Sequence, residues 1–172
     1  MKQLVIYVHG KGGSAKEAEH YKSLFDGSDV IGFDYKSKNP WEAKREFSQY
    51  YDLHSEGYES VVLIADMMMW SNVTEDELRN KKEIPTEFGE TLSWEYLCYV
   101  RNNPVAWSIP TTVLYGENDN LTSLDTVREF TNKVGASLTV MENGEHWFHT
   151  DNQMKFLDSW IIDSVRPLSA FG

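Results

Sequence analysis

The chain has 172 residues, 41% of them hydrophobic and 13% aromatic, which suits one domain with a substantial core and excludes intrinsic disorder. A formal net charge of −11 repels phosphate backbones and anionic lipid, so nucleic acid and membrane surfaces are not expected partners. The single cysteine, Cys98, cannot form an internal disulfide, which fits a reducing, cytoplasmic setting.

In chain order, Gln3–Val8 (QLVIYV) is a continuous apolar, β-branched run, as expected of a strand covered on both faces. It is too short for a signal-peptide core, and no run reaches the length of a membrane span. Ser14 and Glu17 have the spacing of a capping box and predict a helix from Ser14 towards Leu24. Asp29–Phe33 (DVIGF) is a second short strand. Asn39-Pro40 reads as an N-cap and first helical position, opening a helix with Trp41, Phe47, Tyr50 and Tyr51 on its packed side. Ser60–Ala65 (SVVLIA) is the third strand.

From Asp66 to Ser108 strand character is absent, and two helices are predicted, after the Thr74–Glu77 capping box and around Leu92–Val100. Cys98 lies in the second, within SWEYLCYV, and reads as a packed, inert thiol. Alternation then resumes: strand Thr111–Tyr115, helix Thr122–Lys133 with Leu124, Val127 and Phe130 on one face, strand Ser137–Met141. A last helix spans about Asn152–Val165, with Met154, Leu157 and Ile161 at helical spacing. Five apolar strands alternating with helices define an α/β fold with a mainly parallel sheet of about five strands, in one domain over 1–172.

Ligands of such sheets gather at the carboxyl ends of the strands. There the sequence places His9-Gly10-Lys11-Gly12-Gly13-Ser14 after the first strand and Asp66-Met67-Met68 after the third. Gly116-Glu117-Asn118-Asp119-Asn120 follows the fourth, and Gly144-Glu145-His146-Trp147 the fifth. An acid and an imidazole on neighbouring loops can form a base–orienter pair, and a glycine-rich loop can present bare N–H groups to an oxyanion.

Together VIYVHGKGGS, VLYGENDNL and NGEHWF resemble the α/β-hydrolase superfamily, specifically its small serine esterase-like members. The resemblance implies an acyl hydrolase acting on a small-molecule ester or amide, without a cofactor or metal. It places the triad acid at Asp119 and the triad base at His146. The Lys11 backbone N–H becomes an oxyanion-hole donor, on a loop shaped by Gly10 and Gly12.

One element of the family pattern is missing. The nucleophile elbow should follow the third strand, where the sequence reads Ala65-Asp66-Met67-Met68-Met69. The nucleophile would fall on Met67, which has no attacking atom, and methionines do not fit so tight a turn. No further strand separates Asp66 from Ser108, so the chain resembles a family member lacking about one βα unit, with the junction near Ala65–Asp66. Direct pairing of the third and fourth strands, in the order 2-1-3-4-5, is then expected, with Leu92–Asn102 as crossover helix and residues 67–108 a lid-derived or crossover segment.

Plainer readings stand beside these. Gly10, Gly12 and Gly13 also suit a tight strand-to-helix turn, and Asn118-Asp119-Asn120 is turn chemistry, with Glu117 an alternative acid. His146, His149 and Asp151 lack the further ligands that a metal site needs. Asp66 as an aspartate nucleophile sits one residue early, with no glycine after it. The expected protein is therefore a hydrolase relative without covalent catalysis; a non-catalytic small-molecule binding module on the same scaffold is the alternative.

Overall fold

The computed structural model describes residues 2–10, 12–66, 73–86, 91–104 and 108–165. All five predicted strands form: β1 (Gln3–Val8), β2 (Asp29–Phe33), β3 (Ser60–Ala65), β6 (Thr112–Gly116) and β7 (Ser137–Met141). Between β3 and β6 two short strands, β4 (Glu83–Pro85) and β5 (Thr91–Ser93), pair antiparallel. The sequence reading missed them because three-residue pieces such as EIP and TLS carry no measurable alternation. The helices are α1 (Ala18–Tyr21, flanked by 3₁₀ turns), α2 (Pro40–Ser55), α3 (Glu75–Lys81), α4 (Trp94–Asn102), α5 (Leu124–Val134) and α6 (Asp151–Val165). Their starts follow the expected signals: Asn39, Thr74, Ser93 and Ser123 each accept an N–H from the first turn of the helix they cap.

Parallel ladders join β1 to β2 and to β3, in the order β2-β1-β3. The alternation of β1 divides the core. Val5 and Tyr7 pack with Ala18, Tyr21, Phe25, Val30 and Ile161, while Leu4 and Ile6 pack with Phe33 against Phe47, Tyr50 and Tyr51 of α2. Leu4, Val5 and Ile6 are at most 1% exposed, which marks β1 as the central strand. No described helix is long and apolar enough to cross a membrane.

The expected pairing of β3 with the fourth predicted strand does not occur. Instead β6 pairs in parallel with β7 as a separate two-stranded sheet, and among the described residues no ladder links β3 to β6. Helix α4 packs on α2, where Tyr99 meets Trp41 at 5.2 Å between ring centroids, and Arg101 pairs with Glu75 of α3 at 2.7 Å. Cys98 is half-buried on α4. The two sheets are bridged by α6, whose Ile161 sits in the β1 core while Trp160 Nε1 donates to Thr139 Oγ1 of β7 at 3.1 Å.

Candidate active site

The loops after β6 and β7 are stitched together through their backbones. Asn118 N donates to the Gly144 carbonyl at 2.7 Å, and Asn143 N to Glu117 Oε2 at 3.0 Å. This approach needs glycines: a Cβ on Gly116 would lie 2.5 Å from the Glu145 carbonyl oxygen, and one on Gly144 would lie 3.0 Å from the Gly116 Cα. The glycines of G-x-x-D and G-x-H therefore let two strand ends touch, and that contact delivers the acid to the imidazole.

Asp119 Oδ2 meets His146 Nδ1 at 2.7 Å, with the Asp119 side chain only 7% exposed and that of His146 17%. The other carboxylate oxygen, Oδ1, accepts Leu121 N at 2.7 Å and Thr122 N at 2.9 Å, so Asp119 cannot swing away. A carboxylate at Nδ1 fixes the tautomer with the proton on that nitrogen and leaves Nε2 as the basic atom of the ring. His146 lines an open cleft of about 620 Å³ together with Asn118, Asn120, Leu121, Trp147 and His149. Glu117 is engaged with Asn143 N and not with the imidazole.

On the first loop, Gly13 N closes a tight turn onto the Gly10 carbonyl at 3.1 Å, and Gly12 takes φ +80°. Buried His9 contributes by bonding the Gly10 carbonyl through Nδ1 at 2.7 Å and stacking on Tyr35. Lys11, the expected oxyanion donor, lies outside the described residues, as do Met67–Met69. The Gly10 N–H donates to Asp66, so the loop holds a carboxylate of its own.

Asp66 follows β3 directly, one residue beyond the Val8–Ala65 register, which sets it beside His9-Gly10. Its Oδ2 lies 3.5 Å from the Tyr7 hydroxyl, which donates its proton to Glu17 Oε2 at 2.7 Å. The second Glu17 oxygen takes Ser14 N at 2.7 Å, the capping-box bond foreseen from sequence. Asp66 as a whole remains exposed to solvent, but protein crowds its carboxyl and raises its pKa above the ordinary aspartate value, with the charge of Glu17 adding to this. The Gly10 N–H bond, the Tyr7 hydroxyl and the charge of His146 oppose the rise. The Tyr7–Glu17 bond was not readable from sequence, since it joins a strand side chain to the turn that folds back beside it.

No family model matches the sequence, and no curated protein does. Solved structures do. ClbQ from the colibactin NRPS/PKS pathway superposes with a TM-score of 0.62 at 11% identity, covering 96% of this chain and 97% of that one. RedJ-thioesterase from the prodiginine biosynthetic pathway in Streptomyces coelicolor gives 0.59 at 10% identity over 95% and 90% of the two chains. Esterase PE8 gives 0.54 at 10% over 95% and 93%. The fold is thus of the α/β-hydrolase type, with hydrolases, an esterase and thioesterases as its structural neighbours. At these identities the likeness is one of fold.

Proposed function

We propose that this chain is an α/β-hydrolase-type protein of the ester or amide acyl-hydrolase kind that has lost covalent catalysis. The carrying observation is the 2.7 Å contact of His146 with a fully anchored Asp119 on an open cleft, with Ala65-Asp66-Met67 where the nucleophile would stand. The pair supplies a general base and the group that orients it. With no hydroxyl or thiol at the third strand end, no acyl-enzyme forms. Loss of a catalytic serine alone lowers kcat by roughly a millionfold in a serine protease, so a drop of comparable scale is expected. The substrate class remains a small-molecule ester or amide, met in the cytoplasm, with residues 67–108 a lid-derived or crossover segment.

The test is a fluorophosphonate probe on the whole chain. Absence of stoichiometric labelling supports the reading; labelling that disappears in His146→Ala would reveal an activated nucleophile and overturn it. A binding-only role has one observation in its favour, the 63% exposed Trp147 on the cleft wall. It predicts a ligand-induced rise in thermal midpoint with no ester turnover at all.

A further inference from the structure

We infer that the cleft beside His146 takes an uncharged ester or amide carrying a planar aromatic group, and that Trp147 is the specificity-determining residue that stacks on that group. The inference rests on the reading above in taking this cleft as the ligand site, and it adds the chemistry of the ligand. Three observations carry it.

First, Trp147 lines the cleft with 63% of its surface exposed, whereas Trp41, Tyr96 and Phe156, the other exposed aromatic side chains among the described residues, are less open and lie outside the cleft. Single exposed apolar side chains are common, but this one stands beside the general base. Its ring meets the His146 imidazole at 5.8 Å between centroids and 63° between planes, so the two touch without stacking. Among the described residues no other aromatic ring meets the indole. A ring laid on it gains burial and the attraction of offset-stacked π-systems. A carbonyl joined to that ring by a short arm then falls beside the imidazole.

Second, the backbone that carries Trp147 is braced. His149 Nδ1 donates to the Trp147 carbonyl at 2.7 Å. His149 N in turn donates to Gln153 Oε1 at 3.1 Å, and Gln153 is only 6% exposed. The indole is therefore anchored through a buried side chain at the start of α6, and a platform already in place lowers the ordering cost of binding.

Third, the polar lining selects an uncharged ligand. Asn118 and Asn120 line the cleft, and no partner among the described residues occupies their side-chain amides, which leaves donors and acceptors for an ester or amide group. The carboxylate on the cleft wall, Glu145, lies 3.3 Å from His149 Nδ1. Among the described residues no lysine or arginine lines the cleft, so nothing there offsets the net charge of −11 for an incoming anion.

The experiment reads binding by NMR on the ¹⁵N-labelled full chain, with three probes: N-benzylacetamide, its saturated counterpart N-(cyclohexylmethyl)acetamide, and the anion phenylacetate. The aromatic amide should shift the Trp147 indole N–H and the His146 ring signals together and saturably. The saturated amide and the anion should each bind about tenfold more weakly. Trp147→Leu should lose about tenfold in affinity for the aromatic amide while Trp147→Phe retains part of it, and both should keep the His146 Nδ1–H signal that reports an intact pair with Asp119. Equal binding of the aromatic and saturated amides, tighter binding of phenylacetate, or no saturable shift at Trp147 would each overturn the inference. So would unchanged affinity in Trp147→Leu. The probe comparison on the unaltered chain decides the matter even if a variant fails to fold. Fluorophosphonate labelling would instead overturn the loss of covalent catalysis and leave these affinities untouched, so the two failures are distinct.

Discussion

Gly116→Ala tests whether the approach of two loops builds the His146–Asp119 pair. The new Cβ would lie 2.5 Å from the Glu145 carbonyl oxygen and 2.7 Å from both the carbon and the oxygen of Gly144. These are backbone atoms, and none can rotate aside as a flexible side chain would. Relief requires the β7 loop to retreat, which stretches the 2.7 Å Asn118–Gly144 bond and the 3.0 Å Asn143–Glu117 bond. Overpacking of this kind costs about 1–3 kcal/mol and each weakened hydrogen bond about 1 kcal/mol, so a loss of roughly 2–5 kcal/mol is expected. For a chain of this length that lowers the thermal midpoint by on the order of 5–15 °C. Thermal unfolding followed by circular dichroism measures it, with the proton NMR signal of the His146 Nδ1–H reporting whether Asp119 still holds the ring. Gly57, which has φ +83° and open space around it, supplies the contrast: Gly57→Ala should cost only the backbone strain, about 1 kcal/mol, and leave the imidazole signal untouched. An unchanged midpoint and an unchanged Nδ1–H signal in Gly116→Ala would refute the argument that glycine contact builds the site.

The other predictions concern the core and its titrating groups. Ile161→Ala empties a position that is 3% exposed in the α6 seam and should cost about 2–5 kcal/mol in denaturant unfolding, whereas Phe156→Ala, at 38% exposure, should cost far less. Asp66 keeps its proton more tightly in the folded chain than an ordinary aspartate, so the native state binds more protons just above the ordinary value of 3.8, and stability falls as pH rises through that window. Asp66→Asn should therefore raise the thermal midpoint at neutral pH, with the gain fading below about pH 4; a gain independent of pH would contradict this. Burial first, then the charges of Asp66, Asp158 and Glu17, push the Tyr21 phenol up to about 12, and burial with the Glu17 bond raises Tyr7 as well. Because the unfolded chain releases these protons near 10.0, stability should fall as pH climbs from there towards 12, a loss that Tyr7→Phe and Tyr21→Phe should each lessen in denaturant unfolding followed across that range.

The strands were legible because each is an unbroken apolar run that β pairing on both sides would bury, and the helix starts because capping is a local event. Gln3–Val8, Asp29–Phe33, Ser60–Ala65 and Ser137–Met141 match the structure end for end. The juxtaposition of Asp119 with His146 was also foreseeable, since each acid or base sits at a fixed offset from a glycine at a strand end. Sheet order was less accessible. It depends on which edge a strand finds, and nothing local in SVVLIA or TTVLY names the partner, so the separation of β3 from β6 could not be read. The carboxylate that Gly10 holds was hidden for the same reason, because only the β1–β3 register brings Asp66 to that loop.

The split sheet also bears on how independent the His146–Asp119 pair is of the β3 end. His146 and Asp119 belong to one two-stranded unit, and the bonds among the described residues that position them lie within residues 112–146. Removing a neighbouring strand leaves that unit intact. The β3 end, with Asp66 after it, belongs to the other sheet. Chemistry needing one group from each sheet depends on their relative placement, which α6 fixes through Ile161 on one side and Trp160 on the other. The sequence of β3 still carries the character of a central strand: SVVLIA has no charge or proline to guard an edge, and Leu63 is 43% exposed. The placement of the imidazole is therefore locally encoded, whereas the relation between the two sheets is a long-range property to which α6 contributes.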